Sequence, residues 1–373
     1  MKKVLKVVGS VLMLIFVCVF GSIGGFVLST TLFGGDFTIP EIAVVILGIA
    51  LAFYVSIIIH EGGHLLFGLL SGYGFSSFRI GNFMWIKQDE GIKLRRLSIA
   101  GTGGQCLMTP PKNKEGKIPV VLYNLGGVFA NLILAAILLL AYFLFAKNVA
   151  LLNLILLFGG VISLVVALTN GLPLNVGGIA NDGMNALHLS RNQTAAKAFV
   201  AQLRMNAAQA RGMRVSEMPD EWFRLPEGAD MQNVHCASIA VFAAGRTLDR
   251  LDTEGCEMEV NALLHSDYNI IGLHKNLLKC DLVFARLINH GRGAEISSLL
   301  TMEQLKFMKM MDNYPSVIRT EYAIALLRDV DEKRGEKIRA DFEKTAKKYP
   351  YSADIEAERQ LLDLALEKFK NEQ

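Results

Sequence analysis

Two histidines and a glutamate come directly after a long apolar run of the sequence. Residues 55–68 read VSIIIHEGGHLLFG and contain His60, Glu61 and His64. On a helix, residues four positions apart lie on one face, so the two imidazoles can bind a single Zn²⁺. A glutamate beside such a pair can act as a general base toward water. The spacing therefore predicts a zinc-dependent hydrolytic centre with His60 and His64 as ligands and Glu61 as the base.

A simpler interpretation is that the histidines cap a helix or face lipid headgroups. Residues 42–59 contain no charge, and Glu61 is the only acidic residue between positions 42 and 70. A carboxylate at membrane depth is costly unless it has a partner or a function. Glu61 therefore favours the catalytic interpretation.

The third metal ligand must come from another part of the chain, because a catalytic zinc site has three protein ligands and an open position. The segment TNGLPLNVGGIANDG contains Pro173 and several glycines, which oppose a continued helix, and ends at Asp182 and Gly183. Irregular backbone at membrane depth is tolerated where it is buried or lines a cavity. Asp182 is the predicted third ligand, and an ordinary Asp-Gly turn is the alternative.

Composition places this centre in a membrane protein. Hydrophobic residues make up 52% of the 373 residues, and the mean hydropathy is +0.36, above the usual balance of a soluble domain. Four apolar segments are each long enough to cross a hydrocarbon core, which takes about 20 helical residues. They are residues 7–32, 42–70, 118–146 and 149–169. The first follows the basic start MKKVLK, but its apolar run is long for a signal peptide, so we interpret it as a retained span.

The distribution of lysine and arginine predicts the orientation. Residues 73–117 contain eight of them, whereas the GGDFT connection between the first two spans has none. Because basic loops stay on the cytoplasmic side, we expect this loop and both termini to be cytoplasmic in a multi-pass protein of the cell membrane.

The basic loop itself has the pattern of strands. FSSFRIGNFMWIK and IKLRRLSI are rich in aromatic and branched residues, and QDEG between them is a turn signal. The pattern predicts a β-hairpin over residues 75–99. Its aromatic side chains, including Phe83 and Trp85, leave two interpretations open: a surface hairpin, or one partly inserted in the bilayer.

The second half of the chain has the composition of an ordinary soluble domain. Residues 191–373 contain 26 basic and 28 acidic residues, so the concentrated positive charge that nucleic-acid binding needs is absent from the composition. Tyr314-Pro315 and Tyr349-Pro350 begin a weak self-match with a 35-residue offset. That period suits tetratricopeptide repeats, and a non-repetitive helical bundle is the alternative. The five cysteines form no C-x-x-C pair, which indicates free thiols.

The predicted spans at residues 42–70 and 118–146 also contain small residues, and the second contains a strongly polar one. Gly126, Gly127 and Ala130 permit close helix packing, and Asn131 is strongly polar. Asn131 either makes a hydrogen bond between helices or contacts a substrate. Gly62 and Gly63 are interpreted as room for a neighbouring helix.

In this order the motifs resemble the site-2 protease family of intramembrane zinc metalloproteases, of the bacterial type. The resemblance rests on HEGGH, on GVFAN at residues 127–131, and on Asn170, Pro173 and Asp182-Gly183, and it covers about residues 41–190. LLSGYGFSSFRIG is similar to the segment that starts a membrane-associated hairpin in the family. One departure is the spacing, since Pro173 and Asp182 are nine residues apart and the family pattern has about five.

The resemblance implies one Zn²⁺ bound by His60, His64 and Asp182, with Glu61 as the base. It also implies cleavage of the membrane-spanning segments of membrane proteins or peptide precursors near the cytoplasmic side of the bilayer. Candidate substrate contacts are Asn131, Asn170, Phe83 and Trp85. The C-terminal domain would recruit a protein partner or restrict substrates.

The expected fold is an all-α polytopic membrane protein with a small β-hairpin and a C-terminal soluble α-helical domain. The expected domains are a first span (1–40), a three-span core with a hairpin loop (41–190, loop 73–117) and the helical domain (191–373). Two rival functions are a catalytically silent metal-binding scaffold that recruits partners, and a metal transporter. Glu61 argues against the first, and the sequence has no inverted repeat to support the second.

Overall fold

The computed structural model describes residues 38–99, 102–111, 119–145, 150–176 and 179–373. The predicted first span, residues 7–32, lies outside the described residues. Helices are α1 Ile39–Leu70, α2 Val120–Phe145, α3 Ala150–Gly171, α4 Asp182–Arg191, α5 Gln193–Ala210, α6 Val234–Asp249, α7 Thr253–His265, α8 Gly272–His290, α9 Met302–Met310, α10 Pro315–Ala323, α11 Glu332–Ala346 and α12 Ser352–Asn371. Strands are β1 Gly74–Ile80, β2 Phe83–Gln88, β3 Gly91–Arg96, β4 Gly104–Thr109, β5 Asn175–Val176 and β6 Ile179–Ala180.

The chain divides into two compact units. The span unit comprises the residues up to Gly74, together with Gly103–Cys106 and Pro111–Asn192. The helical unit comprises Phe75–Thr102, Leu107–Pro110 and Gln193–Gln373. The division at Asn192 lies two residues from the boundary expected at 190, whereas most of the strand-forming loop belongs to the helical unit.

Three helices of the described chain are long and apolar enough to cross a membrane. The qualifying stretches of α1, α2 and α3 contain 32, 26 and 20 residues, which gives about 48, 39 and 30 Å at about 1.5 Å per residue. Each length reaches the thickness of a hydrocarbon core, about 30 Å. Helix α1 begins three residues before its predicted start, because Thr38 and Glu41 form a capping box: the Thr38 backbone N–H donates to Glu41 Oε2 at 2.8 Å.

Helices α1 and α2 cross with their backbones in contact. A Cβ built on Gly63 would lie 2.3 Å from the Gly126 carbonyl oxygen and 2.6 Å from Ala130 Cβ. Small residues at such a crossing allow close approach in a membrane, as predicted for Gly63, Gly126 and Ala130. Gly62 differs from the prediction, since a Cβ there meets no heavy atom of the described chain within 4 Å.

The predicted hairpin is part of a larger antiparallel sheet of four strands in the order β3-β2-β1-β4. The stretch FSSFRIGNFMWIK, expected to be a single strand, forms both β1 and β2. Gly81 has a φ of +57°, which glycine adopts at little cost, and the chain reverses there so that Ile80 pairs with Phe83. Trp85 then pairs with Phe78 on one side and with Leu94 on the other.

The two faces of β2 have different environments. Met84 and Ile86 are fully buried and belong to the same core cluster as the C-terminal helices. Phe83 and Trp85, on the opposite face, are 42% and 41% exposed. The backbone N–H of Arg96 also donates to the Lys348 carbonyl at 3.4 Å. Strand β2 therefore packs one face against the C-terminal helices and leaves its Phe83 and Trp85 side chains partly exposed.

The helical unit contains an ion cluster in its interior. Arg319 is 1% exposed, and its guanidinium donates to Asp281 at 2.6 Å and to Glu358 at 3.3 Å. Burial raises the pKa of Glu358 to about 7, although Arg319 opposes the shift. Burial also raises the pKa of Asp354 to about 7, and the Gln209 amide that donates to it at 3.1 Å opposes the shift.

The 35-residue self-match corresponds to two helix starts. Tyr314-Pro315 precedes and opens α10, and Tyr349-Pro350 lies just before α12. The Tyr314 and Tyr349 rings pack edge to face with centroids 6.2 Å apart. Helix α10 continues into a π-helical turn, Ile324–Arg328, before α11. The tetratricopeptide assignment stays a prediction.

Candidate metal centre

Helix α1 brings the two histidines together, as their spacing predicts. The Nε2 atoms of His60 and His64 are 3.2 Å apart, and their rings pack edge to face with centroids 4.8 Å apart. Both residues are 8% exposed. The pair is therefore a buried polar feature on a helix that is mostly apolar.

Asp182 joins this pair from 122 residues further along the chain. It is the first residue of α4, and its Oδ2 lies 3.0 Å from His60 Nε2 and 3.4 Å from His64 Nε2. The ligand atoms of the three residues all lie within 4.8 Å of one another. The Asp182 carboxylate thus lies at the histidines although its spacing from Pro173 is longer than in the family pattern.

The distances fit a metal ion. Four ligands held tetrahedrally at about 2.0–2.1 Å are separated from one another by about 3.3 Å, and the three observed separations are 3.0, 3.2 and 3.4 Å. His64 Nδ1 lies 2.8 Å from the Tyr123 carbonyl oxygen, which can only accept, so Nδ1 carries the proton. Nε2 of His64 is then left with a lone pair for a metal. His60, His64 and Asp182 can therefore hold a metal ion.

Glycines let other elements approach the centre closely. A Cβ on Gly127 of α2 would lie 2.6–2.7 Å from three atoms of the His60 ring. A Cβ on Gly104, the first residue of β4, would lie 2.6 Å from Glu61 Cγ and 2.8 Å from Glu61 Oε1. Any larger residue at either position would push against His60 or Glu61. The Glu61 carboxylate consequently lies against the start of β4.

Two tyrosines of the span unit pack beside the first residues of β4. The Tyr123 hydroxyl donates to the Cys106 carbonyl at 2.7 Å, and the Tyr73 ring stacks on the Tyr123 ring with centroids 5.0 Å apart. Burial raises the pKa of the Cys106 thiol, and the nearby Glu61 carboxylate raises it further. Cys106 thus stays protonated and is a poor metal ligand, since the thiolate is the form that binds metals.

The predicted substrate contacts are distributed over both units. The Asn131 amide donates to the Ser56 carbonyl on α1 at 3.3 Å, which is the interhelical hydrogen bond considered above. The Asn170 amide donates to the Val166 carbonyl of its own helix at 2.9 Å. Phe83 and Trp85 belong to the helical unit, on the exposed face of β2.

Sequence reasoning missed three features of the centre. These are the Tyr123 carbonyl behind His64, the contact of Gly127 with His60, and the contact of Gly104 with Glu61. Signals existed for the two glycines, since Gly127 lies in a small-residue stretch that permits close helix packing and the adjacent glycines Gly103-Gly104 often mark a close backbone approach. A backbone carbonyl leaves no signal in the sequence.

The fold and the site define a chain with three apolar, membrane-length helices and a buried group of residues able to hold a metal ion. Comparisons of the chain with protein families, with curated proteins and with solved structures found no match.

Proposed function

We propose that this protein is an intramembrane zinc metalloendopeptidase, similar to the site-2 protease family. The observation that carries the proposal is that His60, Glu61 and His64 lie on a helix long enough to span a membrane and that Asp182 joins the two histidines. Two imidazoles and one carboxylate are a ligand set that zinc uses in hydrolytic enzymes.

Each residue then has a chemical role. Zinc would supply Lewis acidity at the scissile carbonyl and lower the pKa of water to near 7. His60, His64 and Asp182 would hold the ion, and the Tyr123 carbonyl keeps His64 in the required tautomer. Glu61 would take the proton of the attacking water and deliver it to the leaving amine. Its position against Gly104 places this carboxylate where β4 begins.

Strand β4 supports a mode of substrate binding. It is the last strand in the sheet order, and its first residues, Gly104–Cys106, belong to the span unit, where a substrate segment would add to the strand by backbone hydrogen bonds. The first residue of β4, Gly104, lies against Glu61, the proposed base. A membrane-spanning substrate would unwind first, because a helical peptide bond is shielded by its own hydrogen bonds.

The substrates would be membrane proteins or peptide precursors, cleaved near the cytoplasmic side. This part of the proposal follows from the resemblance and from the basic loop of residues 73–117, with about four spans and both termini cytoplasmic in a bacterial cell membrane. The helical unit would recruit a protein partner.

Zinc content and cleavage, measured together, test the proposed function. The purified chain should contain one zinc per molecule and cleave a membrane-spanning peptide in detergent or bilayers. Glu61→Gln should keep zinc and lose cleavage by at least about 10²-fold, because the proton acceptor is gone. Glu41→Gln is a matched control on the same helix, since it makes the same change at the capping box. A chain without zinc, or a Glu61→Gln variant of wild-type activity, would refute the proposal.

A further inference from the structure

Asn181, the residue directly before Asp182, uses the whole hydrogen-bonding capacity of its side chain. The amide nitrogen donates to the Thr169 carbonyl at 2.7 Å and to the Leu172 carbonyl at 2.6 Å. The amide oxygen accepts from the Leu174 N–H at 3.1 Å and from the Met184 N–H at 3.0 Å. An asparagine amide offers two donor hydrogens and two lone pairs, and all four are in use here.

These four bonds join three pieces of backbone. Thr169 lies in the last turn of α3, Leu172 and Leu174 follow it, and Met184 lies in the first turn of α4. The carbonyls at a helix end and the N–H groups at a helix start lack partners within their helices. One side chain therefore satisfies both kinds of group and ties the end of α3 to the start of α4.

These hydrogen bonds lie directly before Asp182, the proposed metal ligand. The segment from Pro173 to Asp182 contains the two-residue strands β5 and β6, whose pairing involves only four residues. Such a short ribbon is marginal by itself and would leave the following carboxylate poorly placed. Gly183 packs on the other side of Asp182, where a Cβ would lie 2.0 Å from the Gly171 carbonyl oxygen. Asp182 is thus held between two residues that are both anchored on the end of α3.

We propose that Asn181 is a positioning residue for the metal centre, and that its two donor bonds to the end of α3 hold Asp182 at His60 and His64. The inference rests on the proposed function. A simpler role is that Asn181 only caps α4 through the Met184 N–H, as asparagine often does at a helix start. Serine separates the two roles, because its hydroxyl can still accept from the Met184 N–H but cannot reach both carbonyls.

The test is zinc affinity of the full chain in detergent, measured by competition with a chromophoric chelator. Asn181→Ser should keep the helicity and melting temperature close to wild type and weaken zinc binding by about 10–100-fold, as expected when a group that orients a ligand is lost. Bound Co²⁺ should show a changed visible spectrum, which reports ligand geometry without any cleavage assay. Asn181→Asp, which keeps both acceptor bonds and loses both donors, should behave in the same way. Ser190→Ala, which removes an exposed hydroxyl that donates within α4, is the control and should change nothing.

Wild-type zinc affinity and cobalt spectrum in Asn181→Ser would overturn the inference, because a helix cap alone would then be sufficient. Failure of both Asn181 variants to fold would also overturn it, since positioning predicts a folded chain with a weakened site. A wild-type chain that binds no zinc would instead refute the proposed function itself.

Discussion

Replacing Gly127 by alanine tests the geometry of the metal centre by adding a single methyl group. The new Cβ would lie 2.6–2.7 Å from three atoms of the His60 ring, whereas ordinary contacts are 3.4–4 Å. The ring or the helix must therefore move by about 1 Å, which is several times the tolerance of about 0.2 Å for metal–ligand distances.

The expected result is a loss of zinc affinity by at least about 10-fold and of cleavage by about 100-fold, since a displacement of about 1 Å at a catalytic group can cost that much. Alanine favours a helix over glycine by about 1 kcal/mol, so helix propensity predicts no loss of stability. A loss of metal affinity would therefore come from the contact with His60.

Chelator competition gives the affinity, and cleavage of a membrane-spanning peptide gives the activity. Gly62→Ala is the matched control, because the same methyl group there meets no described heavy atom within 4 Å although Gly62 lies only two residues from either histidine. Wild-type zinc affinity and cleavage in Gly127→Ala would show that His60 does not pack against Gly127, and the reasoning about the centre would fail.

Two further predictions concern the helical unit and the orientation of the chain. Asp354 and Glu358 have pKa values of about 7 in the fold and near 4 when unfolded. The folded state therefore holds protons at these two groups that the unfolded state releases, so their contribution to stability is most favourable at low pH and falls as the pH rises from about 4 to about 7. Asp354→Asn can still accept a hydrogen bond from Gln209. The variant should be more stable than wild type by on the order of 2 kcal/mol at pH 8 and similar to it at pH 4. Thermal melts of the two full chains measure this, and equal pH profiles would contradict it. For orientation, a reporter fused after Gln373 should be cytoplasmic and one placed between Gly34 and Thr38 external, because the basic loop of residues 73–117 stays inside; the reverse pattern would contradict cleavage near the cytoplasmic side.

Local patterns in the sequence predicted the parts of this protein that depend on near neighbours. The described apolar helices follow from segment length and hydropathy, and the His60–His64 pair follows from the helical repeat. The Gly81 turn was also visible as an I-G-N-F stretch. Because this stretch was interpreted as the interior of a strand, one hairpin was predicted where the structure has two. Its correct interpretation would have needed only the ability of glycine to adopt positive φ at the first position of a two-residue turn.

Contacts between distant segments depended on the tertiary structure. Asp182 reaches the histidines because Asn181 and Gly183 anchor it on α3, and neither the nine-residue spacing nor the motif order specifies that path. The carbonyl that sets the tautomer of His64 belongs to Tyr123. Every residue has a backbone carbonyl, so the sequence does not indicate which one lies beside His64. The sequence by itself determined which residues share a helix face, because that depends only on the helical repeat. The tertiary structure decided what lies opposite that face, because helix crossing and loop anchoring depend on the whole set of packed residues.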